Sequence, residues 1–333
     1  MKTLLLFTLA VLCTVAGAAF GQAVPQSMMT EKEALVKSEA RSYASLMNAK
    51  SKPASDPNID VKYYKLNITI TTAPNYLRGT VTMKAVSSVS NLSSVTLDLM
   101  NTMIVDSVKV GATRLAFSQQ PTTFTITLNR TYGNGELVTI DIYYRGVPVG
   151  DGLRFSSHGG VPWVYTFSQP YGARDWWPCK DHPLDKADSV DIWVTVGISN
   201  KVGSNGKLVA VIDNGNGTTT YKWAERYPIS TELVSLATTN YAEFTNWFKY
   251  TPTDSMPVLN YVLPEHLATA QIDLPKTIDM LRIFSDKYSL YPFVMEKYGH
   301  AEFGWTGSAL ENQTMTSFGF SEEWVLAHEL AHQ

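Results

Sequence analysis

The last six residues of the chain are His328, Glu329, Leu330, Ala331, His332 and Gln333. Histidines four apart lie on one face of a helix, so both imidazoles can reach one metal ion. Glu329 sits about 100° further round that helix. There it can reach a water polarised by the metal and take its proton, which makes a nucleophile for a peptide carbonyl. H-E-x-x-H on a helix is the pattern of zinc peptidases. His328 and His332 are therefore candidate ligands for one zinc ion, and Glu329 is the candidate general base.

Six histidines in 333 residues make an accidental match rare, on the order of one in a few hundred such chains. The flanks agree with the motif. Ser321 is a candidate helix cap, and Glu322 and Glu323 suit the positive end of the helix dipole. Trp324, Val325, Leu326 and Ala327 give the helix the apolar body of a buried element. A catalytic zinc takes three protein ligands and keeps one position open. Two are in hand here. A third histidine would mark a metzincin and a downstream glutamate a thermolysin-like site, and either would lie after position 333. The chain reads as a truncated hydrolase, expected to have little or no activity as it stands.

Around this motif stand the elements that must position it. Residues 1–21 read as a secretory signal peptide, with Lys2 before an apolar stretch and small residues at the cleavage region. The expected location is secreted, periplasmic or extracellular. About a dozen apolar residues are too few to span a bilayer, and no other stretch is long enough, so no membrane span is expected. One cysteine, Cys179, remains after the signal and cannot form an internal disulfide; a buried thiol is expected. The formal charge is 27 − 30 = −3, which argues against nucleic acid as a partner.

Residues 22–56 form a leader and linker, with helical periodicity over 30–49 and a Pro- and Ser-rich end. At Ile59 the period switches to two: Val61, Tyr63, Leu66, Ile68 and Ile70 open a series of short strands separated by turn residues. Residues 57–252 are expected to form an all-β domain, an antiparallel sandwich or saddle. From 253 the pattern changes to strand, then an amphipathic helix over 267–288, then the H-E-x-x-H helix. The fold class is α+β, with residues 253–333 the start of an α/β catalytic domain.

Two further segments carry a resemblance. Gly307, Ser308, Ala309, Leu310, Glu311 and Asn312 resemble the G-x-M-E-N exopeptidase motif of the aminopeptidase N and leukotriene hydrolase family of zinc metallopeptidases, the gluzincins. The run from Gln169 through Arg174, Pro178 and Cys179 to Asp181 resembles the same family's Q/E-x4-R-x3-P-C-x-D segment. The resemblance covers residues 57–333 and implies a thermolysin-like catalytic domain and peptide substrates. It assigns Glu311 and Gln169 to the substrate amine, and the backbone of Ala309 and Leu310 to an edge along the substrate. A free α-amino group is largely cationic below its pKa of about 8, so a carboxylate beside the metal can fix which peptide bond is cut. The family's third zinc ligand, a glutamate, and its transition-state tyrosine fall beyond position 333. The sequence departs from the motif at Ser308 and Leu310, and Gln169 is neutral where a glutamate would add charge.

Two other functions remain open to the sequence. One is an epoxide hydrolase on the same zinc site. The other is a non-catalytic secreted binding module that uses the β-domain, against which Glu329 argues. Arg174 and Asp181 are read as a structural pair, and His158, His182, His266 and His300 as structural histidines without metal spacing.

Overall fold

The computed structural model describes residues 55–319 and 321–333, with Glu33, Lys37, Arg41 and Ala44 as four isolated helical positions before them. The expected signal peptide and the rest of the expected leader helix lie outside the described residues.

The first strand, Ile59–Thr72, shows how the β pattern becomes a buried face. Ile59 and Val61 point inward, and then Tyr64, Leu66, Ile68 and Ile70. The register against Asn75–Ser87 shifts between Val61 and Tyr63. One extra residue in a strand flips the face that follows, so Tyr64 enters the core in place of the expected Tyr63. Tyr63 turns outward, and its hydroxyl donates to Asp191 Oδ2 at 2.7 Å.

Eight strands make the largest sheet. Their order is Lys207–Asp213, Thr218–Glu225, Ser189–Gly197, Ile59–Thr72, Asn75–Ser87, Leu137–Gly146, Met103–Val110 and Thr113–Leu115. It is mixed rather than purely antiparallel, because Ile59–Thr72 and Ser189–Gly197 run parallel. A three-stranded sheet (Leu92–Asp98, Thr123–Tyr132, Phe117–Gln119) and a four-stranded one (Lys201–Ser204, Leu236–Thr239, Val161–Thr166, Leu153–His158) complete this β-rich part. Trp176, Trp177, Trp223 and Phe124 fill the core with Cys179, whose thiol is buried as expected and whose pKa burial pushes well up. Arg174 meets Asp181 through its backbone N–H (3.2 Å), so the expected pair is a backbone-to-carboxylate bond.

A five-stranded sheet follows, ordered Ala242–Lys249, Ser255–Val262, Tyr298–Glu302, Thr316–Phe318 and Ala309–Leu310. Ala242–Lys249 pairs with Ser255–Val262, across the boundary expected near 252. The single helix expected over 267–288 is two, Leu267–Asp273 and Lys276–Lys287. Pro275 separates them, since it has no N–H for the helical ladder and its ring crowds the preceding turn. The last helix, Glu323–Ala331, begins at an N-cap that is Glu322 rather than Ser321. Ser321 instead points its hydroxyl at Asp273 Oδ2, 3.5 Å away. Among the described residues, no helix is long and apolar enough to cross a membrane.

His300 lies fully buried in the centre of this sheet, with Nδ1 against Asn260 Oδ1 at 2.9 Å. Burial, helped by the nearby Lys297 charge, pushes its pKa down to about 3. The unfolded chain takes up this proton near pH 6.5, the folded one only near 3. His300 therefore contributes full stability above pH 6.5 and loses it as pH falls toward 3. Asp181 and Glu225, which burial pushes up, act with the opposite sign. Comparing wild type with His300→Gln isolates the histidine. Unfolding free energies from denaturant titrations between pH 7 and 4 are expected to fall less in the variant, by an amount on the order of a few kcal/mol. Parallel pH profiles would show that His300 titrates normally in the fold.

Candidate active site

His328 and His332 face each other across one helical turn. Their Nε2 atoms are 3.2 Å apart, and the rings meet edge to face with centroids 4.8 Å apart. Zinc–nitrogen bonds of about 2.0–2.1 Å in a tetrahedral site put two ligand nitrogens about 3.3 Å apart. The pair therefore fits two corners of a zinc site. Among the described residues, no group of three or more His, Cys, Asp or Glu side chains converges, so the structure provides two donors here. Glu329, between them in sequence, is almost wholly buried. Its carboxylate reinforces the effect of burial, which raises the phenol pKa of neighbouring Tyr298.

The helix is held by its apolar face. Val325, Leu326 and Leu330 are buried in a cluster with Leu274, Leu281 and Phe318. It packs on Lys276–Lys287 and on the short strand Ala309–Leu310. Among the described residues that strand pairs only with Thr316–Phe318 and ends the sheet, so its far edge has no strand partner there. An unpaired edge is the geometry an extended peptide can join.

Glu311 follows that strand directly. Gln169, 142 residues earlier, donates from Nε2 to Glu311 Oε1 at 2.8 Å. The two residues implied for the amine thus meet across the seam between the β-rich part and the second sheet. A side chain missed by sequence reading joins them to the metal pair. Gln333, next to His332, donates from Nε2 to the carbonyls of Glu311 (3.1 Å) and Asn312 (3.3 Å). All the expected site residues therefore lie on two connected elements or bond to them.

Glu232 was also missed. It sits in the turn Thr231–Leu233, and burial first, then the Glu311 charge, pushes its pKa up to about 7. An isolated glutamate between Thr231 and Leu233 carries no motif that would have flagged it. Asn205 explains the proximity: its Nδ2 donates to the carbonyls of Leu233 (2.9 Å) and Gln313 (2.6 Å). The other histidines have structural partners. His158 bonds Glu265 and Thr239, and His266 bonds Glu302.

Residues 60–233 match the Peptidase M1 N-terminal domain. The chain belongs to the M1 peptidase family. Solved structures extend the likeness past that domain. An M1 zinc metallopeptidase from Deinococcus radiodurans is 28% identical, with a TM-score of 0.72 over 83% of this chain and 63% of its own. A two-domain M1 zinc metallopeptidase mutant bound to L-tryptophan is 26% identical, with a TM-score of 0.74 over 84% of this chain and 65% of its own. A mutant of the Deinococcus enzyme bound to a Tyr-Ser-Ala substrate is also 26% identical, with a TM-score of 0.70. This chain thus spans 63–65% of the length of those M1 structures. A search of curated proteins gave no match.

Zinc is the metal that these M1 relatives imply, and the paired imidazoles fit it. Titrating the metal-free chain with zinc against a chromophoric chelator is expected to show one site. His328→Ala or His332→Ala should each weaken it about tenfold or more. Equal affinity in all three proteins would take these histidines off the metal.

Proposed function

We propose that this chain is the β-domain and first part of the thermolysin-like catalytic domain of an exported zinc aminopeptidase. The observation that carries the reading is the Gln169–Glu311 hydrogen bond, on a loop tied by Gln333 to the end of the metal-binding helix. It supports a place for a cationic amine beside the place for a metal.

The roles follow from position. His328 and His332 hold zinc, and a third ligand, a glutamate, is supplied from outside this chain. When bound, zinc supplies Lewis acidity toward water and the scissile carbonyl. Glu329 takes the proton from the attacking water and passes it to the leaving amine. Glu311 binds the substrate ammonium by charge, and Gln169 both orients that carboxylate and offers its amide oxygen. The Ala309–Leu310 edge aligns the peptide backbone. Together they place the first peptide bond at the metal, which limits cleavage to one residue at a time. The substrates are peptides with a free N-terminus.

The chain of 333 residues is expected to show little or no turnover, since two ligands bind metal less tightly than three. Zinc content and amino-acyl arylamide hydrolysis should be measured on it and on a chain extended through a whole catalytic domain. Both are expected in the extended form. There, Glu329→Gln should lower kcat on the order of 10²–10⁴-fold with zinc retained. Glu311→Ala should instead act mainly on KM for free-amine substrates. A folded, zinc-loaded extended protein without hydrolysis would replace the aminopeptidase reading by that of a binding module.

A further inference from the structure

Thr314 has a φ of +62°, in the left-handed region. A β-branched residue there is strained, by roughly 1–3 kcal/mol, and stays only where its surroundings insist. Its surroundings do. The Thr314 N–H donates to Gln333 Oε1 at 2.7 Å. Its carbonyl accepts from Lys297 Nζ at 2.7 Å, and its hydroxyl oxygen from Gly206 N at 2.8 Å.

Gln333 is the one of these partners that also grips Glu311. Its amide makes three bonds at once. Nε2 gives one proton each toward the carbonyls of Glu311 and Asn312, and Oε1 accepts from Thr314 N. A primary amide carries two donors, so both donors of Gln333 are used; the Tyr291 hydroxyl, 3.4 Å from Oε1, has the Lys297 carbonyl as its nearer acceptor at 3.2 Å. The turn from Glu311 to Thr314 is thereby closed around one side chain, rooted next to His332. Asn205 holds the opposite side of the same turn, through the Gln313 carbonyl.

We infer that Gln333 is a positioning residue: it latches the Glu311 turn to the end of the metal-binding helix and so fixes the distance between the amine-binding carboxylate and the metal. This rests on the aminopeptidase reading for its consequence, but the latch itself does not. A misplacement of about 1 Å can cost on the order of 100-fold in rate, so such a latch bears directly on selectivity for free N-termini.

The chemistry makes a sharp test. Gln333→Glu keeps shape and replaces both donors by an acceptor facing two carbonyl oxygens. Gln333→Asn keeps the donors and shortens the reach by one methylene. Hydrogen exchange of the 333-residue chain and its variants reads the latch without turnover. Amides of 307–319 are expected to exchange at least about tenfold faster in both variants, with 59–72 unchanged as the folding control. If one variant does not fold, the other decides. Kinetics on the chain extended through the catalytic domain read the consequence. KM for amino-acyl arylamides should rise about tenfold with zinc content unchanged, and the preference over N-acetylated peptides should shrink. Unchanged exchange overturns the latch. Faster exchange with unchanged KM and preference overturns its role in amine recognition. Absence of hydrolysis in the wild-type extended chain counts against the aminopeptidase reading, and exchange then decides the latch alone.

Discussion

The turn between Glu311 and Thr314 is the constraint on which the site depends. It must reverse the chain tightly after the edge strand, and it does so by forcing Thr314 into a left-handed conformation. No local interaction of threonine favours this. The turn is held instead by groups from both parts of the molecule: Gly206 and Asn205 from the β-rich part, Lys297 and Gln333 from the second. Glycine is needed at 206 because a Cβ there would meet the Ala224 carbonyl oxygen at 2.1 Å, and its own φ is +73°. The strained turn is thus stabilised by four contacts from three separate segments.

Charge burial beneath this turn follows the same logic. Lys297 is wholly buried beside Glu225 and Glu296, with Trp223 below it. Burial pushes Glu225 up and Lys297 down, so both are drawn toward their neutral forms. Buried ionic groups of this kind add little net stability against an apolar substitute. What they supply here is direction: Lys297 Nζ donates to both oxygens of Thr314, and Glu225 lies 3.4 Å from the same hydroxyl. An apolar core would leave the Thr314 carbonyl without a partner, which costs more than the pair does.

The closeness of the two histidines was legible in the sequence because helical spacing is a local rule. Helical spacing puts positions 328 and 332 on one face, and here their Nε2 atoms lie 3.2 Å apart. Most strands were legible through their alternation, and the failures have specific causes. The bulge after Val61 exchanges Tyr63 for Tyr64, and nothing in the alternation announces an inserted residue. The parallel pairing of Ile59–Thr72 with Ser189–Gly197 joins segments far apart in the chain, where pattern says nothing of partner. The break at Pro275 could have been read, since proline inside a helical pattern marks one. Gln169 and Glu311 were paired only through resemblance, because their contact spans 142 residues. Gln333 was invisible: its partners are mostly backbone atoms of a strained turn, and no side-chain pattern encodes those.

That division explains why the two parts work as one. The larger apolar cluster crosses the seam, taking Tyr261, Ala301 and Leu310 from the five-stranded sheet, and Leu263, Phe303 and Met315 from just beyond its strand ends, into the core of the β-rich part. Tyr241 extends the crossing with hydrogen bonds: its hydroxyl donates to the Glu302 carbonyl and accepts from Trp163 Nε1 at 2.8 Å. A seam packed in this way does not hinge easily, since interiors are close-packed and resist small displacements. Gln169 stands on one side of it, Glu311 on the other. Their 2.8 Å contact is therefore set by the core rather than by a mobile loop. In the aminopeptidase we propose, that rigidity would fix the length from ammonium to metal and so distinguish the first peptide bond from the rest.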